Sequence, residues 1–172
     1  MTESPQSVTT LDRAAFVARF GGVFEHSPWV AGAAYDAGLP AEIESAAALH
    51  QVLVAALRRG SAAQKRALIE AHPDLAGRLA QAGKLTADST DEQASAGLDL
   101  LSDAERDRFA ALNERYKATF GMPFIMAVKG RSKEEILAAF ERRLKNDQAS
   151  EFTAALEQIE RIALLRLKEM LS

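Results

Sequence analysis

Apolar residues recur every three or four positions along this 172-residue chain, and strict apolar–polar alternation is nearly absent, so the pattern predicts helices and no sheet. Phe109, Leu112, Tyr116 and Phe120 form one stripe, and Ile136, Leu137, Phe140 and Leu144 form another. A third runs along the last helix through Phe152, Leu156, Ile159, Ala163, Arg166 and Met170. The punctuation agrees with the periodicity. A Ser followed three residues later by Glu or Gln can tie off the first backbone amides of a helix, and that pair occurs at Ser61/Gln64, Ser89/Glu92, Ser102/Glu105 and Ser132/Glu135. Stops fall at Gly60, Gly83, Gly121 and Asn146. These signals predict helices near 10–20, 28–37, 41–59, 62–71, 73–82, 89–100, 103–120, 132–145 and 149–171.

The expected fold is all-α: a single-domain helical bundle of about nine helices over residues 11–172, after a polar, disordered tail over 1–10. No internal repeat and no Pro-, Gly- or Ser-rich linker divides it. One apolar run, Pro123 to Val128, lacks helical caps and is bracketed by Gly121 and Gly130. With no partner strand it reads as an extended buried connector, whose amides and carbonyls are available to bind something.

Composition narrows the function. The formal net charge is -3, so no basic surface invites nucleic acid or an anionic membrane. Cysteine is absent, which excludes thiol catalysis, thiolate metal sites and disulfides and fits a cytoplasmic protein. No segment reaches the ~20 consecutive apolar residues of a membrane span. Gly-rich phosphate loops and nucleophile elbows are also missing, so nothing calls for a nucleotide or prosthetic group.

Three histidines are present. His50 lies on an apolar stripe with Ile43, Ala47, Val54 and Leu57 and reads as a packed side chain, and His26, before Ser27-Pro28, reads as a surface or capping residue. His72 differs. Pro73 disfavours helical backbone at the residue before it and suits the first turn of a helix, so His72 is expected at a helix mouth and off any apolar stripe. Two readings stand side by side: a cap with a solvated ring, or a catalytic acid. Asp74 is either a first-turn acid or, with His72, half of a metal pair that lacks a third ligand at helical spacing. Glu92 is the third residue of the Ser89 capping box, or a ligand for the polar groups of a substrate with its neighbour Gln93. Arg166 occupies a position that periodicity assigns to the interior, so its guanidinium either pairs with an internal carboxylate or clamps an anionic substrate. Glu141, Arg142, Arg143 and Lys145 read as a solvated face.

Several spaced motifs resemble one family. They are Glu70-Ala-His-Pro-Asp-Leu-Ala-Gly-Arg-Leu-Ala80, Leu85-Thr86 through Ser89-x-x-Glu92-Gln93 to Ala96-Gly97-Leu98, Asn113-x-x-Tyr116 through Phe120-Gly-Met-Pro-Phe-Ile125, and Arg166-Leu167. Together they resemble 2-oxo-4-hydroxy-4-carboxy-5-ureidoimidazoline (OHCU) decarboxylase, of the route from uric acid to allantoin. The resemblance implies an all-α homodimer that acts on a small ureide without a cofactor or a metal and gives (S)-allantoin. It implies that His72 is the catalytic acid, aided by Glu92. It also implies that Pro73, the run Ser89, Thr90, Asp91, Glu92 and Gln93, the run Phe124, Ile125, Met126, Ala127 and Val128, and Arg166 line the substrate. The chemistry is consistent with this: the electrons released with CO2 flow into the ligand's own C=N bond, so the protein need supply only orientation and a proton. Two alternatives of other classes are a non-catalytic helical interaction module and a metal-dependent hydrolase using His72 and Asp74.

Overall fold

The computed structural model describes residues 5–73 and 101–171. Among them are seven α-helices and no strand: α1 (Arg13–Phe20), α2 (Trp29–Asp36), α3 (Ala46–Arg59), α4 (Ala62–Ala71), α5 (Asp103–Phe120), α6 (Lys133–Arg143) and α7 (Gln148–Met170). The all-α class is as expected, with seven described helices against about nine. Of the nine helices expected, those near 73–82 and 89–100 lie outside the described residues. No described helix is long and apolar enough to cross a membrane.

Local chemistry sets the ends. Asp12 accepts the Ala15 amide at 2.8 Å to open α1, and Ser45 accepts the Ala48 amide at 3.1 Å, which starts α3 at residue 46 instead of near 41. At α5 the cap is reciprocal: Ser102 Oγ accepts from the Glu105 amide at 3.2 Å and Glu105 accepts from the Ser102 amide at 3.1 Å. That helix stops at Gly121, whose φ of 68° is left-handed backbone that a side chain would strain. Residues Pro5–Thr10 form a short 3-10 helix in which Val8 is fully buried.

The chain divides into two compact units, Met1–Ala71 with Glu160–Ser172, and His72–Ile159. No linker composition marks either border; one falls at the end of α4 and the other inside α7. In the first unit Phe16 packs on Phe20 and Tyr35 with ring centroids 5.1 and 5.6 Å apart. Here α3 buries Leu49, Leu53, Val54 and Leu57, so the expected stripe holds at Ile43, Val54 and Leu57, while Ala47 is exposed and His50 half-buried at its edge. His50 Nε2 instead meets the Glu160 carbonyl at 2.7 Å, and Arg58 grips the Glu160 carboxylate through two bonds of 3.0 Å.

The second unit is built on aromatic rings. Phe124 stacks on Phe140 at 3.6 Å and meets Tyr116 edge-on at 5.2 Å, and Phe109 meets Phe140 edge-on at 6.1 Å. On α5 the buried positions are Phe109, Asn113, Tyr116 and Phe120, so Asn113 takes the interior place expected for Leu112. On α6 they are Ile136, Ala139, Phe140 and Arg143. Arg143 is therefore no part of a solvated face, because the interior supplies a charge partner described below.

Candidate active site

His72 follows directly on the last residue of α4, and its ring is buried, with 4 % of the residue exposed. A cap with a solvated ring is thereby excluded. Its Nδ1 lies 3.1 Å from the Pro73 carbonyl oxygen. A carbonyl only accepts, so this contact is a hydrogen bond in the tautomer that carries its proton on Nδ1. Asp74 and the run Ser89, Thr90, Asp91, Glu92 and Gln93 lie outside the described residues. Among those described, no group of three or more His, Cys, Asp or Glu side chains is placed to share a metal ion.

The connector is as anticipated: residues 123–128 form neither helix nor strand, and Phe124 through Val128 are all buried. Side chains of α6 and α7 hold its backbone. Arg143 Nη1 donates to the Ile125 carbonyl at 2.6 Å, and the Ala127 amide donates to Gln158 Oε1 at 2.9 Å. The Val128 carbonyl accepts from the Arg131 amide at 3.0 Å in the turn that follows. Among the described residues the backbones of Phe124 and Met126 make no hydrogen bond, so each of these buried residues keeps both a donor and an acceptor open.

Arg143 and Glu151 were missed by the sequence reading. Glu151 is fully buried and accepts from Arg143 Nε at 2.9 Å, from the Tyr116 hydroxyl at 2.6 Å and from Asn146 Nδ2 at 2.9 Å. Burial first, and then the bond to Glu151, push the Tyr116 phenol well above its usual range, which keeps it protonated and donating. The available signal was the spacing Glu151, Ala155, Ile159, Ile162, Arg166, a helical stripe with a charge at each end.

In the first unit Arg166 is 2 % exposed, as the periodicity of α7 predicts. Its Nη1 donates to the Val23 carbonyl and its Nη2 to Glu25 Oε1, both at 3.2 Å. Glu25 is itself buried and precedes His26, which is exposed and has a φ of 56°, so the carboxylate is presented from a tight bend after α1. A lone acid within Val23-Phe24-Glu25 was the sequence signal for this partner.

Within the second unit, a buried imidazole and a connector with open backbone groups offer both proton transfer and hydrogen bonding to a small polar ligand. The family model for OHCU decarboxylase matches residues 9–168. The chain belongs to the OHCU decarboxylase family.

Membership extends over nearly the whole sequence. A 2-oxo-4-hydroxy-4-carboxy-5-ureidoimidazoline decarboxylase of Haloferax volcanii is 41 % identical over 97 % of this chain and 95 % of its own length. One of Amia calva is 36 % identical over 96 % and 93 %. Among solved structures, (S)-allantoin synthase superposes with a TM-score of 0.75 at 34 % identity, covering 95 % of this chain, which spans about half (52 %) of that one. An OHCU decarboxylase crystallised in the presence of (S)-allantoin shares the fold, with a TM-score of 0.67 at 20 % identity over 94 % of this chain.

Proposed function

We propose that this chain is a carboxy-lyase of uric acid degradation that removes CO2 from OHCU and yields (S)-allantoin, with His72 as the proton donor. The observation that carries the activity is family membership over residues 9–168, backed by relatives named for this reaction that align over 95 % and 93 % of their own length. What supports His72 is its burial together with the contact of its Nδ1 with the Pro73 carbonyl, which orients the ring.

In the substrate a carboxylate-bearing carbon lies next to a C=N carbon that carries the ureido group. The bond to CO2 breaks, its electron pair forms a new C=C bond, and the imine π pair moves onto nitrogen, so the ligand is its own electron sink and no cofactor is required. A proton must then reach the ureido-bearing carbon while the neighbouring hydroxyl becomes a carbonyl, and the face of delivery sets the hand of the product. His72, in its charged form, is assigned that delivery, worth about 10²–10⁴ in rate for a positioned acid. Glu92 is assigned the orienting of its ring. Ser89, Thr90, Asp91 and Gln93, with Pro73 and the backbone of Phe124 to Val128, are assigned the ureido and ring N–H and C=O groups, and the open amide and carbonyl of Met126 support the connector's share. Arg166 is assigned the anionic charge; its burial and the resemblance support that role. We read the enzyme as a cytoplasmic homodimer.

His72→Asn tests this directly. Turnover is expected to fall by about 10²–10⁴ while affinity for allantoin, read by calorimetry, is kept. Unchanged turnover would overturn the assignment of His72.

A further inference from the structure

We infer that Arg143, Glu151 and Gln158 are positioning residues for the ureide ring, acting through the connector and not by touching the substrate. The inference rests on the reading above, in which the backbone of Phe124 to Val128 lines the substrate. Three features of the second unit point to it.

First, the bonds are aimed at backbone, not merely at filling space. Arg143 reaches the Ile125 carbonyl at 2.6 Å and Gln158 accepts from the Ala127 amide at 2.9 Å, so the residues on either side of Met126 are each held by a side chain. That fixes the connector's path around Met126, whose own amide and carbonyl make no bond among the described residues and are among those a ligand can take. Second, the guanidinium cannot rotate away. Its Nε is bonded to Glu151 and its Cζ lies 4.4 Å from the centre of the Phe124 ring, which is stacked on Phe140. Third, the carboxylate that holds it is held in turn by Tyr116 and Asn146.

An apolar pair of similar volume would fill this space at no cost in stability, because desolvating two charges consumes most of what their attraction returns. What apolar side chains cannot do is donate to one chosen carbonyl. The residues that hold the connector thus set its register to within the fraction of an ångström that ligand hydrogen bonds require.

Steady-state kinetics on OHCU, each variant assayed well below its own melting temperature, tests the assignment. Gln158 is only half-buried, so Gln158→Leu is the gentle probe: KM is expected to rise about tenfold, the scale of one buried hydrogen bond, with kcat within about twofold, since uniform binding is what is lost. Gln158→Glu retains an acceptor for the Ala127 amide and is expected to bring KM back to near the wild-type value. The double variant Arg143→Met with Glu151→Leu removes both charges together, so it is expected to fold and to raise KM at least as much. An active wild-type enzyme whose KM is unmoved by Gln158→Leu and by the double variant would overturn the inference alone. A wild-type chain without decarboxylase activity would overturn the functional reading, and the inference with it.

Discussion

Arg143 and Arg166 each sit where helical periodicity calls for an apolar residue, and each is paired with a buried glutamate, yet they are held in different ways. Arg143 is bonded at 2.9 and 2.6 Å and stacked over a ring, and its carboxylate partner is gripped by two further donors. Arg166 meets Glu25 and the Val23 carbonyl at 3.2 Å each, longer than the ~2.7–2.9 Å of well-formed charge-assisted bonds. Arg143 Nη2 has no partner among the described residues, but Nε and Nη1 are tied by short internal bonds, and a guanidinium held in that way serves the scaffold. On the proposed reading the Arg166 guanidinium, whose bonds to Val23 and Glu25 are longer, serves the ligand instead.

Glu151→Ala is expected to give the largest effect. It strands the Arg143 charge in the interior, which costs about 3–5 kcal/mol, so the melting temperature should fall steeply; a fall no larger than that of a surface substitution would break the scaffold half of the contrast. Next comes removal of the other pair. Arg166→Met with Glu25→Gln leaves no buried charge and is expected to keep the fold near wild-type stability while weakening kcat/KM by at least about tenfold, the loss of one charged hydrogen bond. A loss of melting temperature with unchanged kinetics would make Arg166 a second scaffold arginine and erase the difference. The smallest effect belongs to an exposed pair, which shows what such a bond is worth without burial. Lys133 Nζ lies 2.8 Å from the Glu105 carboxylate, and the Lys133 ammonium, followed by the Ser102 amide, lowers the Glu105 pKa from 4.5 to about 2. A depressed folded-state pKa means stability that is present above 4.5 and lost as the pH falls toward 2. Glu105→Gln should therefore flatten the acid limb of the melting-temperature profile slightly and leave pH 7 almost unchanged.

The same contrast explains what could be seen in the sequence. Arg166 was legible because Ile159 and Ala163 precede it and Met170 follows it on one stripe, so a charge there is an interruption. Arg143 was not, because it lies in the charged run Glu141 to Lys145, and from Phe140 the stripe continues equally well to Arg143 or to Leu144. Choosing the larger apolar side chain selects Leu144, Leu112 and Phe152, whereas the buried positions are Arg143, Asn113 and Glu151. An error of one position turns a helix face by about 100°, and only packing against distant segments settles it. Helix ends, by contrast, were legible to within a few residues, since a cap is a bond between neighbours three apart. The Pro73 constraint on His72 was visible for that reason, while the depth of its ring was not.

The central claim is that this chain turns OHCU into allantoin of one hand, and the circular dichroism of the product tests it most directly. The protein is added to freshly formed urate-oxidation product, and ellipticity is followed against a protein-free control. The account predicts a rapid rise of the (S)-allantoin signal that scales with protein concentration. Racemic allantoin appearing at the uncatalysed rate would contradict it.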